Sequence, residues 1–544
     1  MKKLYIIILL SMFFSCSGRL DQEAQVITSA LTIEQKIGQL MMFALPGDSL
    51  NRENSELIRK YLPGGVVFFG YNFSEKSDLP SFTSGLQSLA MGNSGIPLFI
   101  STDQEGGQVV RIKTGITQFP GNFALGVTEN YKDIEKMARI TGMSLRMKGI
   151  NMNLAPVLDV NINPLNPVIN TRSFGSNPEV VAKAGSAYIK GLQSARCIAV
   201  AKHFPGHGDT ESDSHHVLPV INHDMERLKR VELFPFYKAL KAKVEGVMSA
   251  HIRFPFVDES NEPATLSHFF LTRILREDMK FKGIAITDDL EMNAASGKMN
   301  IGEVAVKSFL AGTDIILVSS YGKNVSVIYN SLLQAVKEGV IEMDRLNESV
   351  SRIIELKLRY KIAGYNEEEK QIYLNDFVYT EKEKNFFAEK DDINSKLSRE
   401  ALFYSGDGEL FLRSENGKRK YVSSNKAFRE NLDVLSGDSI HYTAEQALFS
   451  IKKSSEPENF TIVLQTYRIN KGYVESLYRR IKNAGGNLLI VYSGNPFKLS
   501  GWETEIPVLF TFSFTDESMK EAAFCLNGRF VPKKSINALT GFRD

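Results

Sequence analysis

Cysteine, tryptophan and net charge are what this 544-residue sequence has least of, and each shortage closes off a class of protein. Of its three cysteines, Cys16 lies in the N-terminal leader, while Cys197 and Cys525 sit among apolar neighbours, so no disulfide framework holds the fold. The formal net charge is +2, and removal of Lys2 and Lys3 with the leader leaves none, which gives no basis for nucleic acid or another polyanion as a partner. There is no internal repeat and no low-complexity tract. Charged residues at 24% and hydrophobic ones at 43% are ordinary globular values, and the length predicts two or three domains.

Long apolar runs are also missing. The leader reads Met1-Lys2-Lys3, then apolar residues from Leu4 to Phe14, then Ser15-Cys16. That run is too short for a comfortable membrane span. A charged start, a short apolar core and a small residue before the cut describe a signal peptide over residues 1–16. Cysteine directly after the small residue resembles a bacterial lipobox, with Phe13 where that motif usually has Leu. The expectation is an exported cell-envelope lipoprotein on the periplasmic or outer-membrane face. A lipid on Cys16 would be its membrane contact, and the chain is expected to be a monomer.

What the sequence does have is a regular alternation. Thr32-Ile-Glu-Gln35 reads as a capping box opening a helix. Short apolar runs then recur with helix-length segments between them: Leu40–Leu45, Val66–Phe69, Ile96–Thr102, Met152–Val160, Ile198–Lys202, Gly246–His251, Ile284–Thr287 and Asp314–Ser319. The first could equally extend the preceding helix. Eight such strands predict an α/β fold, a (β/α)8 TIM-like barrel over residues 22–365. Residues 366–394 are heavily charged and read as a linker. Over 395–544 the pattern restarts on a smaller scale, with strands at Phe460–Thr466, Asn487–Ser493 and Val508–Phe514 and a helix at Tyr473–Ala484, a smaller α/β sandwich domain.

The chemistry concentrates in Lys202-His-Phe-Pro-Gly-His-Gly-Asp-Thr-Glu-Ser-Asp-Ser-His-His216, which holds four of the eight histidines. It follows a β-branched run, and Pro205, Gly206 and Gly208 turn the backbone into a loop. His203 and His207 have the spacing of a helical zinc pair, but Pro205 and Gly206 between them break the helix such a pair needs. Other strand ends carry Asp103-Gln-Glu-Gly-Gly107 with Arg111, Arg172 in Asn170-Thr-Arg-Ser-Phe-Gly175, His251, and Asp288-Asp289. Helix caps explain single cases. Several on one barrel face, with opposite charges mixed, suit a hydroxyl-rich ligand.

The strings D-Q-E-G-G-Q-V-V-R, N-L-A-P-V-L-D-V-N, R-S-F-G, K-H-F-P-G-H-G-D-T-E-S-D-S-H, P-A-T-L-S and T-D-D-L-E-M occur in the order seen in glycoside hydrolase family 3. The resemblance covers about residues 30 to 365, and the histidine string resembles the β-N-acetylglucosaminidase branch (NagZ-type). It implies Asp288 as nucleophile, with Asp289 its rival, and His215 with Asp213 as the acid/base pair on the loop after the fifth strand. It also implies Asp103, Arg111, Arg172, Lys202 and His203 as the groups that hold sugar hydroxyls, and His207, His251 and Met292 as pocket supports. No metal and no organic cofactor is implied. Trp502, the one tryptophan, reads as a packing residue, with a sugar platform as the alternative. The expected activity is retaining removal of terminal N-acetylglucosamine from peptidoglycan fragments or chito-oligosaccharides. A phosphorylase or β-glucosidase of the same family and a non-catalytic sugar-binding lipoprotein are the alternatives.

Overall fold

The computed structural model describes residues 18–532 except 76, 164, 212–217, 293–298, 376–377, 406–417, 433–438, 442, 448–459, 467–469, 495–505 and 528. Asp213, His215, Trp502 and Cys16 therefore lie outside the described residues.

Thr32 and Gln35 form the expected capping box: the Gln35 N–H donates to Thr32 Oγ1 at 3.2 Å and the Thr32 N–H donates to Gln35 Oε1 at 2.9 Å. The helix so opened, Ile33–Gln39, stops before the first strand, β1 (Met41–Ala44), which settles the ambiguity of that run. There follow β2 (Gly65–Phe68), β3 (Phe99–Thr102), β4 (Met152–Asn153), β5 (Ile198–Phe204), β6 (Gly246–Ser249), β7 (Ile284–Thr287) and β8 (Ile316–Val318). All are parallel, in the spatial order β8-β1-β2-β3-β4-β5-β6-β7. The ring closes through an Ile286–Ile315 bridge and a 3.0 Å bond from the Thr287 N–H to the Ile315 carbonyl. Both faces of the sheet are covered, so the strands are buried along their length, as in β1, β2, β3 and β6.

The fourth strand is shorter than the apolar run Met152–Val160 suggested, because Pro156 has no N–H to give the ladder. The segment still tracks β5: the Val200 N–H reaches the Ala155 carbonyl at 3.0 Å and the Leu158 N–H reaches the Lys202 carbonyl at 2.6 Å.

The stretch 366–394 carries one strand of a hairpin (Ala363–Asn366 with Gln371–Leu374), a helix at Glu381–Phe387 and the start of another at Lys390–Glu400. Beyond it lies a six-stranded sheet of β9 (Phe403–Ser405), β10 (Lys418–Val422), β11 (Ser439–His441), β12 (Phe460–Thr466), β13 (Asn487–Tyr492) and β14 (Val508–Phe510). Its order is β9-β14-β13-β12-β10-β11, with only β9 antiparallel. Separate apolar clusters cover its two faces. One of them includes Phe123, Ala124 and Val127 from the barrel side, so the two regions share a core. The rings of Phe123 and Phe512 lie 5.3 Å apart across it. Among the described residues no helix is long and apolar enough to cross a membrane.

Candidate active site

Each barrel strand points its C-terminal end at the same face, where a cavity of about 200 Å³ opens, lined among others by Asp103, Glu105, Arg111, Arg172, Lys202, His203 and Asp288. That is smaller than the roughly 300–1,000 Å³ of drug-sized pockets. Its walls also carry apolar side chains, Val67, Leu154, Val168, Met248 and Leu317.

Asp103 follows β3 directly and receives the Lys202 ammonium at 2.7 Å on Oδ1 and the Arg111 guanidinium at 3.5 Å on Oδ2. Two residues on, Glu105 takes both arms of Arg172, Nε to Oε2 and Nη2 to Oε1, each at 2.9 Å. Lys202 also reaches Glu105 Oε1 at 2.7 Å. Burial pushes the Glu105 carboxyl up, but the Arg172 and Lys202 charges outweigh it and hold it far below the usual carboxylate range. The same contacts raise Arg172 and Lys202 against the opposite pull of burial. Lys202 has three donors, so one remains for the cavity.

Asp159 organises the histidine loop. One oxygen accepts the His207 N–H at 2.7 Å and the His203 N–H at 3.2 Å, and the other accepts from His203 Nδ1 at 2.7 Å. Burial raises the Asp159 carboxyl, yet the neighbouring histidines overcome that and it stays below its ordinary value. A carboxylate accepts, so Nδ1 of His203 carries the hydrogen and Nε2 faces Arg172 Nη2 at 3.4 Å. The loop can approach this closely because of Gly208: a Cβ there would sit 1.9 Å from the Val160 carbonyl oxygen.

The two adjacent aspartates after β7 have different surroundings. Asp289 is tied back: its Oδ1 accepts the Ser319 N–H at 2.9 Å and the Glu291 N–H at 3.1 Å, and burial raises its pKa above the ordinary value. Asp288 accepts the Asp289 N–H at 2.8 Å, and both aspartates line the cavity. Burial pushes it up, but His203, His251, that N–H and Lys202 together bring it below its ordinary value, so it is a carboxylate at neutral pH. His251 sits behind the pair, donating from Nε2 to the Asp289 carbonyl at 3.0 Å. His207 and Met292 also line the cavity.

Of the residues expected at the site, Asp103, Arg111, Arg172, Lys202, His203 and Asp288 meet at this one cavity. Asp213 and His215 fall outside the described residues. Reading the sequence missed Glu105 and Asp159, although both stand inside quoted strings. The available signal was electrostatic, since buried cations such as Arg172 and Lys202 require buried partners. Among the described residues, Asp209, His223 and Glu232 come close enough together to suggest a cation site. The Arg227 guanidinium already supplies the positive charge there, 3.3 Å from Glu232 and 3.7 Å from Asp209.

A model of the "Glycosyl hydrolase family 3 N terminal domain" matches residues 32–356, the whole barrel with its site. The chain belongs to glycosyl hydrolase family 3. It is 37% identical to a β-hexosaminidase A of Pseudoalteromonas piscicida over 60% of this chain and 61% of that relative. The match thus spans less than two thirds of that relative's length. A β-hexosaminidase of Idiomarina loihiensis is 32% identical over 51% of this chain and 83% of its own. The similarity extends past the barrel in a family 3 β-N-acetylglucosaminidase from Paenibacillus sp. FPU-7. Its structure superposes with a TM-score of 0.78 at 32% identity, covering 93% of this chain and 98% of that one.

Proposed function

We propose that the protein is an exported, exo-acting β-N-acetylglucosaminidase. It removes terminal β-linked N-acetylglucosamine from peptidoglycan fragments or chito-oligosaccharides with retention of configuration, and it is anchored to the envelope through Cys16. The observation that carries this reading is Asp288, a carboxylate facing the cavity and kept ionised by His203, His251 and Lys202 while its neighbour Asp289 is tied to the Ser319 and Glu291 backbone. An ionised carboxylate facing a sugar-sized cavity is what attack on an anomeric carbon requires. The small cavity suits one terminal sugar. Its four carboxylates and three fixed cations offer both acceptors and donors to hydroxyls, and its apolar wall suits an acetyl methyl. Asp213 and His215 take the acid/base role in this proposal: the carboxylate orients the imidazole, which protonates the departing oxygen and then activates water. The β-hexosaminidase names of the relatives agree with this substrate.

The test is release of a chromogenic aglycone from a β-N-acetylglucosaminide and a β-glucoside, with and without phosphate, on membrane and soluble fractions. Preference for the first substrate, independence of phosphate and recovery with membranes are expected. Glucoside preference would point to a β-glucosidase, and a phosphate requirement to a phosphorylase. Mass spectrometry of acid-quenched enzyme should find an N-acetylhexosamine adduct in the wild type and none in Asp288→Ala, with kcat down on the order of 10³-fold or more in that variant. Asp289→Asn should keep the adduct; an adduct that depends on Asp289 and not on Asp288 would move the nucleophile one residue on.

A further inference from the structure

The turn after β2 and the turn after β8 each leave a tyrosine standing out of the barrel face. Tyr71 is 52% exposed and Tyr321 37%. A single exposed aromatic needs no explanation, but these two are attached to the cavity wall and held in place. Phe69 lines the cavity, and Tyr71 stacks on it with ring centroids 6.1 Å apart and planes within 21°. Arg111, another wall residue, covers the Phe69 ring at 5.5 Å. The turn Gly70–Asn72 is pinned by Asn72, whose Oδ1 accepts the Phe69 N–H at 2.8 Å and whose Nδ2 donates to the Leu45 carbonyl at 2.9 Å.

On the other side, Ser319 lines the cavity two residues before Tyr321. Its N–H is fixed by Asp289, and the next hydroxyl, Ser320 Oγ, donates to Glu291 at 2.6 Å. The two turns follow β2 and β8, which flank β1 in the ring, so Tyr71 and Tyr321 stand one strand apart on the same face of the barrel.

We propose that Tyr71 and Tyr321 form an aglycone platform, ring faces on which the pyranose next to the scissile bond stacks as the chain leaves the cavity. The occupant follows from the geometry, given the function proposed above. A cavity of about 200 Å³ holds the terminal sugar, so the remainder of a chain must lie at the mouth. A β-linked pyranose with equatorial substituents presents a face of axial C–H groups, which packs against the negative face of an aromatic ring. Because both turns are pinned, little ordering entropy is lost on binding, which is the condition for exposed rings to contribute to affinity.

The experiment compares chitotriose with methyl β-N-acetylglucosaminide. Both have alkyl leaving groups, but only the first has a pyranose to stack. In Tyr71→Ala/Tyr321→Ala the ratio of kcat/KM for chitotriose to that for the methyl glycoside should fall about tenfold. In Tyr71→Phe/Tyr321→Phe the ratio should stay near that of the wild type, since the ring faces remain. A ratio the alanine pair does not move would overturn the platform. A ratio that falls equally in the phenylalanine pair would overturn stacking in favour of the phenol hydroxyls. Calorimetric binding of chitotriose and of free N-acetylglucosamine to Asp288→Ala, with and without the alanine pair, gives a readout independent of turnover. If the wild type cleaves neither substrate, the proposed activity fails, while loss of the chitotriose advantage in binding still supports the platform and its persistence still refutes it.

Discussion

His207 shows how much a single side chain in this site depends on its surroundings. It is buried, with Nδ1 2.9 Å from Thr210 Oγ1, and burial outweighs the attraction of Asp159 and lowers its pKa to about 4. An unfolded histidine titrates near 6.5. Between those values the unfolded chain takes up a proton that the folded one refuses, so stability falls as pH falls, by about 3 kcal/mol over the window. Below about pH 4 both states are protonated at this site and the loss stops growing. His207→Asn keeps a polar atom near Thr210 and cannot titrate. Its melting temperature should therefore drop less between pH 6.5 and pH 4.5 than that of the wild type, read by thermal denaturation at both pH values. Parallel curves would mean that His207 is protonated in the fold.

At the scale of elements, the site is a set of ties between strands. Lys202 on β5 joins Asp103 and Glu105, which follow β3, and Glu105 in turn fixes the Arg172 turn. Removing one member of a buried ion network leaves the others uncompensated, which costs about 3–5 kcal/mol. Glu105→Gln should lose stability of that order at pH 7, measured by urea denaturation. Because the folded pKa of Glu105 is depressed, its contribution is complete above the unfolded carboxylate value of about 4.3 and is lost as pH falls below it. The gap between wild type and variant should accordingly narrow from about pH 5 downward. A gap constant with pH would show that the ionised carboxylate is not what stabilises this corner.

The whole molecule is held together by an apolar seam between the barrel and the second sheet. Phe123, Ala124 and Val127 pack in one cluster with Phe403, Phe510 and Phe512. Phe512 lies 5.3 Å from Phe123 and 5.9 Å from Phe403 by ring centroid, so it touches both sides. Phe123→Ala opens a cavity at this seam, with a cost of about 3–5 kcal/mol. Calorimetry should find one cooperative transition in the wild type and two in the variant, the second sheet melting first because its core is the smaller. Two transitions already present in the wild type would mean that the seam does not couple the regions.

What the sequence determined by itself is the series of barrel strands and the placing of charge at their ends. Each strand is a short apolar run bounded by glycine, proline or a polar residue, a local signal that survives whatever packs against it. Asp103, Lys202 and Asp288 are legible for the same reason, as polar residues that interrupt such runs. The charged strand Lys418–Val422 was not legible, because its place in the sheet comes from the ladders to β12 and β11 and not from its own pattern. Tertiary structure alone decided the pairings. Arg172 and Glu105 are 67 residues apart, and neither names the other until β3 and β4, whose C-terminal loops carry them, lie side by side in the closed ring. The same holds for the two aspartates after β7, whose different environments come from Ser319 on one side and from His203, His251 and Lys202 on the other. Local periodicity is written in neighbours along the chain, whereas these contacts depend on neighbours across strands about 5 Å apart, which exist only once the barrel has closed.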